Sequence, residues 1–368
     1  MKIRLLSIAA LSLAAISTLA QVTVKTDAGD LKMRFIGRTN FDIGTYLAKP
    51  DGATEHNGIA MNDTRLGVSA TFDEKFSSKI EICYASKAIS FRDLWIGYKL
   101  NDNSSLTVGN HFQPFGAKPL GLAYKFVEDA SADYAFCPAR KIGFSYAYTS
   151  DPFNFTAGLF SDGNVDNGKN VDAGFSLTVK AIWRPIVNEQ TMLHIGVAPM
   201  FTKSSNNVSF TGILPTTVLK KNALIATPSW KHESTTRLEA EMILTQGKFY
   251  AEAHYLGASV KSADKDAVDD CYLSGIYAQV GWMIIGEKQN YNKKTGLAAN
   301  ASPKSLEILA RVSTLDFDDI NCGQQTDLTL GLNYFFNKNL NIKFNYIYGS
   351  VKDGDDCHFA QTRLQFSF

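Results

Sequence analysis

Charged side chains recur at every second position of otherwise apolar segments along this chain. The basic set is Arg34, Arg38, Arg65, Lys79, Lys141, Lys180, Arg237, Arg311, Lys343 and Arg363. The acidic set in the same phase is Asp42, Glu81, Asp93, Asp172, Glu239, Glu241, Glu252 and Glu307. Such residues can pair with one another across strands, or line a water-filled passage and bias the ions that enter it. A wall that mixes both signs sets up no strong single-sign field. Arg34, Arg38, Arg65, Lys79 and Arg363 fall near the two chain ends of the pattern, where a local basic stripe is expected. Other chemistry is poorly provided for. None of the six histidines, His56, His111, His194, His232, His254 and His358, neighbours a nucleophile motif of the GxSxG type. There is no CxxC spacing, phosphate-binding loop or dinucleotide fingerprint. The chain therefore does not read as an enzyme, and neither a cofactor nor a metal is expected. Cys322 and Cys357 follow acidic turns in neighbouring loops and form a candidate disulfide, provided their Cα atoms come within about 4.4–6.8 Å. The Asp-rich stretches beside them read as solvated loop charge.

The elements that position these charges are strands. In "TRLGVSATF", Leu66, Val68, Ala70 and Phe72 share one face, with Arg65, Gly67, Ser69 and Thr71 on the other. "KIGFSYAYT", "LTLGLNYFF" and "LNIKFNYIY" alternate likewise, the last two separated by "NKN", a hairpin connection. Aromatics make up 12% of the chain and mean hydropathy is −0.11, which favours strands and argues against helical membrane spans. "MKIRLLSIAALSLAAISTLAQ" has the charged start, apolar run and small-residue end of a secretory signal peptide, residues 1–20. Removing Lys2 and Arg4 would take the formal charge from +1 to about −1. No basic block suggests nucleic acid. Residues 21–368 then read as a single all-β domain: a 16-stranded antiparallel transmembrane β-barrel. Short turns ("DEKF", "NDNSS", "TSDP", "NKN") alternate with longer polar stretches. Segment 203–235 reads as one long loop, although a strand pair around "ALIATPSW" would raise the number to 18. Lipid offers no hydrogen bonds, so a spanning sheet must close on itself. The terminal "TRLQFSF" reads as the closing strand beside "LKMRFIGRTNFDIGTY".

"RLGVSATF" with "FRDLWIGYKL", then "SLTVGNHFQPFG", then "GWMIIGEKQNYN", "SLEILARVSTLDFDDIN", "LTLGLNYFFNKNLNIKFNYIYG" and "TRLQFSF" resemble, in order, strands of the phosphate-selective porin O and P family. The resemblance implies an outer-membrane trimer with a water-filled channel, narrowed by a third loop folded into the lumen. Here that loop is "QPFGAKPLGLAYKFVEDASADYAFCPAR", with Lys118, Tyr124, Lys125, Glu128, Asp129 and Arg140 as constriction candidates. Arg38, Arg65, Lys79, Lys141, Arg311 and Arg363 are the pore-lining candidates. The family's phosphate-binding residues have no matching motifs in this chain, so weak selectivity among small hydrophilic solutes and ions, anions such as phosphate included, is expected. The expected partners are those solutes, outer-membrane lipid and the barrel-assembly machinery, reached through the C-terminal strand. The alternative is a structural or adhesive barrel that does not conduct.

Overall fold

The computed structural model describes residues 21–26, 29–61, 63–85, 88–117, 125–163, 165–167, 174–204, 206–216, 218 and 223–368. The expected signal peptide, Lys118, Tyr124 and Asp172 lie outside these residues. Sixteen strands form the wall. They are β1 Gly29–Ala48, β2 Thr64–Phe72, β3 Phe76–Ala85, β4 Ala88–Lys99, β5 Ser104–His111, β6 Lys141–Thr149, β7 Phe153–Ser161 and β8 Phe175–Val187. The second half comprises β9 Thr191–Lys203, β10 Trp230–Gln246, β11 Phe249–Ser262, β12 Cys271–Ile285, β13 Ser305–Asp316, β14 Gln324–Phe335, β15 Leu340–Val351 and β16 Asp356–Ser367. Each pairs antiparallel with its sequence neighbour, and β16 pairs with β1 from Arg38↔Ser367 to Ala48↔His358. Asn57–Ala60 continues the line of β2 along β1. Val22–Thr26 adds a short hairpin arm to the start of β1.

Period-2 alternation decides which residues meet lipid. Leu66, Ile96, Val108, Leu328, Leu330, Leu332, Leu364 and Phe366 are exposed on the outer face, while Arg65, Asp93, Asn110, Asp327, Thr329, Asn333, Gln361 and Arg363 are buried on the inner one. A one-residue slip would exchange these faces, so the pattern fixes the register. Along one rim the turns are short. Asp73 and Glu74, both at positive φ, turn β2 into β3, and Lys75 N–H closes the turn on the Phe72 carbonyl.

Among the described residues, three connections fold over or into the lumen. The third loop, between β5 and β6, carries helix α1 (Ser131–Phe136), which is packed on the inner wall. The connection between β9 and β10 does add a strand pair, Thr211–Ile213 with Ala223–Ala226, but as a separate two-stranded sheet. The wall thus keeps sixteen strands. That small sheet packs on α1, with Phe136, Phe210 and Phe317 in mutual ring contact. The third is a departure from the short-turn pattern. Between β12 and β13, residues 286–304 on the short-turn rim form a hairpin, Asn290–Asn292 with Leu297–Ala299. Leu297 and Ala298 are fully buried with Phe126 of the third loop and Ile243, Tyr250 and Leu309 of the wall.

Phe368 completes closure. Its N–H donates to the Gly37 carbonyl and its carbonyl accepts from Gly37 N–H, both at 3.0 Å. Its ring lies where a side chain on Gly37 would stand, with a Cβ there falling 2.4 Å from the ring. Deleting Phe368 removes this last ladder pair and exposes edge groups of β1 to lipid. The deletion is expected to lower the fraction of chains that reach the folded, heat-modifiable form in membranes. The conductance of those that assemble should change less than the assembled fraction does; normal assembly on a gel-shift assay would contradict this.

Candidate functional site

Two sets of inward charges with different duties can be separated by following their partners. The first belongs to β1–β4. Arg38 Nη2 lies 2.6 Å from Asp63 Oδ2, and Arg65 Nε 2.6 Å from Asp63 Oδ1. Arg65 Nη1 reaches Glu81 at 3.0 Å, Lys79 reaches Glu81 at 2.6 Å and Asp93 at 2.5 Å, and Arg140 Nε meets Asp93 at 2.6 Å. Arg140 also stacks over Phe112, 3.9 Å from the ring centroid. The result is a continuous ladder of alternating sign running from β1 to the end of the third loop. Of the basic stripe expected near the seam, Arg38, Arg65 and Lys79 stand in this ladder, each paired with an acid.

Beside this ladder lies a cavity of about 300 Å³. Arg38, Arg65, Lys79 and Arg140 face it together with Glu81 and Asp93, and Gly37, Gln365, Ser367 and Phe368 border it on the seam side. Asn300 of the short-turn hairpin also reaches it. Cations outnumber acids on this surface.

The second set holds the third loop in place. Arg363 grips Asp42 with two hydrogen bonds of 2.7 and 2.8 Å and donates a third, of 2.6 Å, to the Val127 carbonyl. Arg311 donates to the Glu128 and Asp129 carbonyls at 3.0 and 3.4 Å and lies over the Phe126 ring at 4.4 Å. Asn345 Oδ1 accepts from Val127 N–H at 2.7 Å, and Asn333 donates to the Lys125 carbonyl at 2.6 Å. Lys125 Nζ bonds Glu307 at 2.6 Å and Gln289 of the hairpin at 2.9 Å. Ser131 and Ser313 hydroxyls meet at 2.8 Å under α1. Backbone polar groups of a loop held in a lumen must be satisfied by the wall, and these inward residues do so.

Several expectations are corrected by this arrangement. Arg311 and Arg363 are buried clamps on the loop backbone and do not face the open cavity. Lys141 donates to the Asp162 carbonyl, fastening the β7–β8 connection. Of the loop candidates, Arg140 faces the cavity. Lys125 and Glu128 are buried on the β13–β16 side, with Asp129 half-buried beside them. Cys322 and Cys357 are both free thiols. Cys357 is enclosed by Leu214, Ile347 and Phe359, whereas Cys322 packs with the Cys271 cluster.

Sequence reasoning also missed Gly116. The third loop turns inward there at φ +74°, where a Cβ would meet Cys137 Sγ, and its N–H donates to Glu239 at 2.6 Å. The signal was "QPFGAKP", a glycine between prolines at the loop start.

The sequence model of the family described as Phosphate-selective porin O and P matches residues 34–368. An uncharacterized protein of Caulobacter vibrioides is 23% identical over 321 residues, which are 79% of this chain and 63% of that protein. Porin O of Pseudomonas aeruginosa is 27% identical over 162 residues, 38% of this chain and 36% of that protein. The chain thus aligns with less than two thirds of the length of these curated relatives. Among solved structures, in-vitro folded OmpT of Vibrio cholerae in its trimer form superposes with a TM-score of 0.61 at 13% identity, covering 92% of this chain and 99% of that one. The anion-selective porin from Comamonas acidovorans gives a TM-score of 0.61 at 12% identity, covering 92% and 100%. These likenesses show a shared barrel fold.

Removing one member of a buried ion pair leaves the other uncompensated, at a cost of about 3–5 kcal/mol. Arg363→Met strands Asp42 and frees the Val127 carbonyl, so it should lower the unfolding midpoint in denaturant. Asp42→Asn in the same chain should recover part of that loss. In the unreduced native protein a maleimide should label Cys322 readily and Cys357 only after unfolding; protection of both after unfolding without reductant would indicate a disulfide.

Proposed function

The chain belongs to the phosphate-selective porin O and P family, and from that premise we propose that it forms a water-filled outer-membrane channel for passive diffusion of small hydrophilic solutes and ions, with a weak preference for anions. The cavity beside the β1–β4 ladder carries this reading. Its walls present four guanidinium and ammonium groups against two carboxylates. Each of those cations is already paired with an acid of the wall, so the field a passing anion meets is modest and screened by salt. Close-fitting discrimination of phosphate from chloride needs several donors converging on one ion. Here much of the donor capacity is committed to Asp63, Glu81 and Asp93. The trimeric form of the structurally similar OmpT supports a homotrimer, with the exposed apolar bands of the wall facing lipid and neighbouring copies.

Planar-bilayer recording tests the reading. Purified folded protein should give discrete conductance steps, and a salt gradient should give a small reversal potential of the sign expected for anions. Lys79→Glu together with Arg140→Glu should reverse that sign. A complete absence of conductance steps would instead favour a structural barrel, and a strong preference for phosphate over chloride would overturn weak selectivity.

A further inference from the structure

On the wall opposite the ladder, β8–β12 enclose a polar cluster that the permeation path does not use. Lys180, His194, Glu239, Glu241, Glu252 and His254 are all buried there. Lys180 Nζ lies 2.8 Å from Glu241 Oε1 and 3.4 Å from Glu239 Oε2. His194 Nε2 also bonds Glu241 Oε1 at 3.0 Å, while its Nδ1 meets the Tyr291 hydroxyl at 2.9 Å, so a neutral ring satisfies both contacts. His254 differs. Its Nδ1 lies 3.0 Å from Glu239 Oε1 and its Nε2 3.0 Å from Glu252 Oε1. With a carboxylate at each nitrogen, the ring must carry both protons to donate twice. Glu252 is held further by the Tyr250 and Tyr277 hydroxyls.

Two observations point to a cation beyond the protein's own. Glu241 Oε2 is fully buried and accepts no hydrogen bond, yet it aims at the same His254 Nδ1 from 3.5 Å. Charge is also left over among the directly bonded groups: three carboxylates face one ammonium and one imidazolium, an excess of one negative charge in a buried site, and the next cation, the Arg184 guanidinium, reaches the cluster only through the Tyr291 hydroxyl at 3.5 Å. Leaving such a charge uncompensated is costly.

We propose that Glu239, Glu241 and His254 form a divalent-metal site of the zinc type. One ligand atom from each lies within 4.8 Å of the others. In a tetrahedral zinc centre with bonds of about 2.0–2.1 Å, ligand atoms stand about 3.3 Å apart. The 3.0 and 3.5 Å separations about His254 Nδ1 bracket that edge. The metal takes Glu239 Oε1, Glu241 Oε2 and His254 Nδ1, and the Nδ1 proton leaves to solvent. Exchanging one proton for a divalent ion adds one positive charge, which cancels the excess. His254 Nε2–H then donates to Glu252, the carboxylate partner that orients a metal-bound imidazole. Lys180 and His194 stay on Glu241 Oε1, the oxygen the metal does not need.

The test uses the full barrel, purified folded in detergent, stripped with chelator and dialysed against Zn²⁺, and in parallel refolded from urea in the presence of Zn²⁺. Elemental analysis should find about one zinc per chain by at least one route, with affinity falling about tenfold per pH unit on acidification as the proton competes. Glu241→Gln, which keeps the shape and Lys180's neighbour, should abolish stoichiometric uptake. Glu252→Gln should weaken it about 10–100-fold. Heat-modifiable migration confirms that each variant is folded, and His254→Gln provides a second ligand-loss variant. Uptake by neither route, or equal uptake by wild type and Glu241→Gln, would overturn the proposal.

Discussion

The Arg363 guanidinium joins the two features that make this barrel what it is. Arg363 and Asp42 are directly opposite in the β16–β1 register, so their two hydrogen bonds cross the seam where the sheet closes. The same guanidinium donates to Val127 of the third loop. Closure is obligatory in lipid, because an open edge would leave backbone groups without partners. Once closed, the wall presents a polar inner face, and a loop can lie on it only if that face supplies donors and acceptors at the right positions. Arg363 does both, and on its other side Lys343 stands directly opposite in the β15–β16 register. Two like charges at one level are tolerable where one of them is turned toward Asp42 and a carbonyl.

From that anchor the lumen divides in two. On the β8–β16 side the described part of the third loop, the small sheet of Thr211–Ile213 and Ala223–Ala226 and the short-turn hairpin pack into the interior, and inward side chains there are buried. On the β1–β4 side a cavity remains, and its charges form the alternating ladder. The same residue types therefore have opposite consequences. Arg311 and Lys125, removed from water, are spent on loop carbonyls, wall carboxylate and amide. Arg38, Lys79 and Arg140 keep part of their surface in the cavity, and in the proposed channel they would face a passing ion.

The wall was legible in the sequence because a strand's two faces obey one simple rule, and lipid on one side makes that rule strict. Strand positions, the seam and the inward phase of Arg65, Lys79 and Arg363 all follow from it. What each inward charge does was not legible, since parity gives direction and not partner. Whether Arg363 lines a pore or clamps Val127 depends on where the third loop lies, and that depends on contacts more than 200 positions apart in sequence. The short-turn hairpin was missed for a different reason. "NYNKKTGLAA" carries a turn signal, with Asn292 accepting from the Lys294 and Thr295 N–H groups and Gly296 at φ +71°. It lies, however, on the rim where short connections were expected, and its two strands are only three residues each. His194 and His254 likewise share the inward phase of the lumen, but a histidine on an alternating strand gives no sign of the carboxylates that β10 and β11 gather around it.

Lys125 shows why the two large inserts cannot be considered separately. Its ammonium bonds Glu307 of β13 and Gln289 of the short-turn hairpin, and Gln289 donates to the same Glu307 oxygen at 2.9 Å. One residue on, Phe126 packs with Leu297 and Ala298 of that hairpin. Withdrawing the hairpin would therefore remove an acceptor from Lys125, a donor from Glu307 and one side of the apolar seat of Phe126. The third loop, entering from the long-loop rim, is seated in part by a segment entering from the other. The space left beside the β1–β4 ladder is thus bounded by a packed body made of both inserts, and a substitution in the buried part of the hairpin should reach the proposed channel through Lys125.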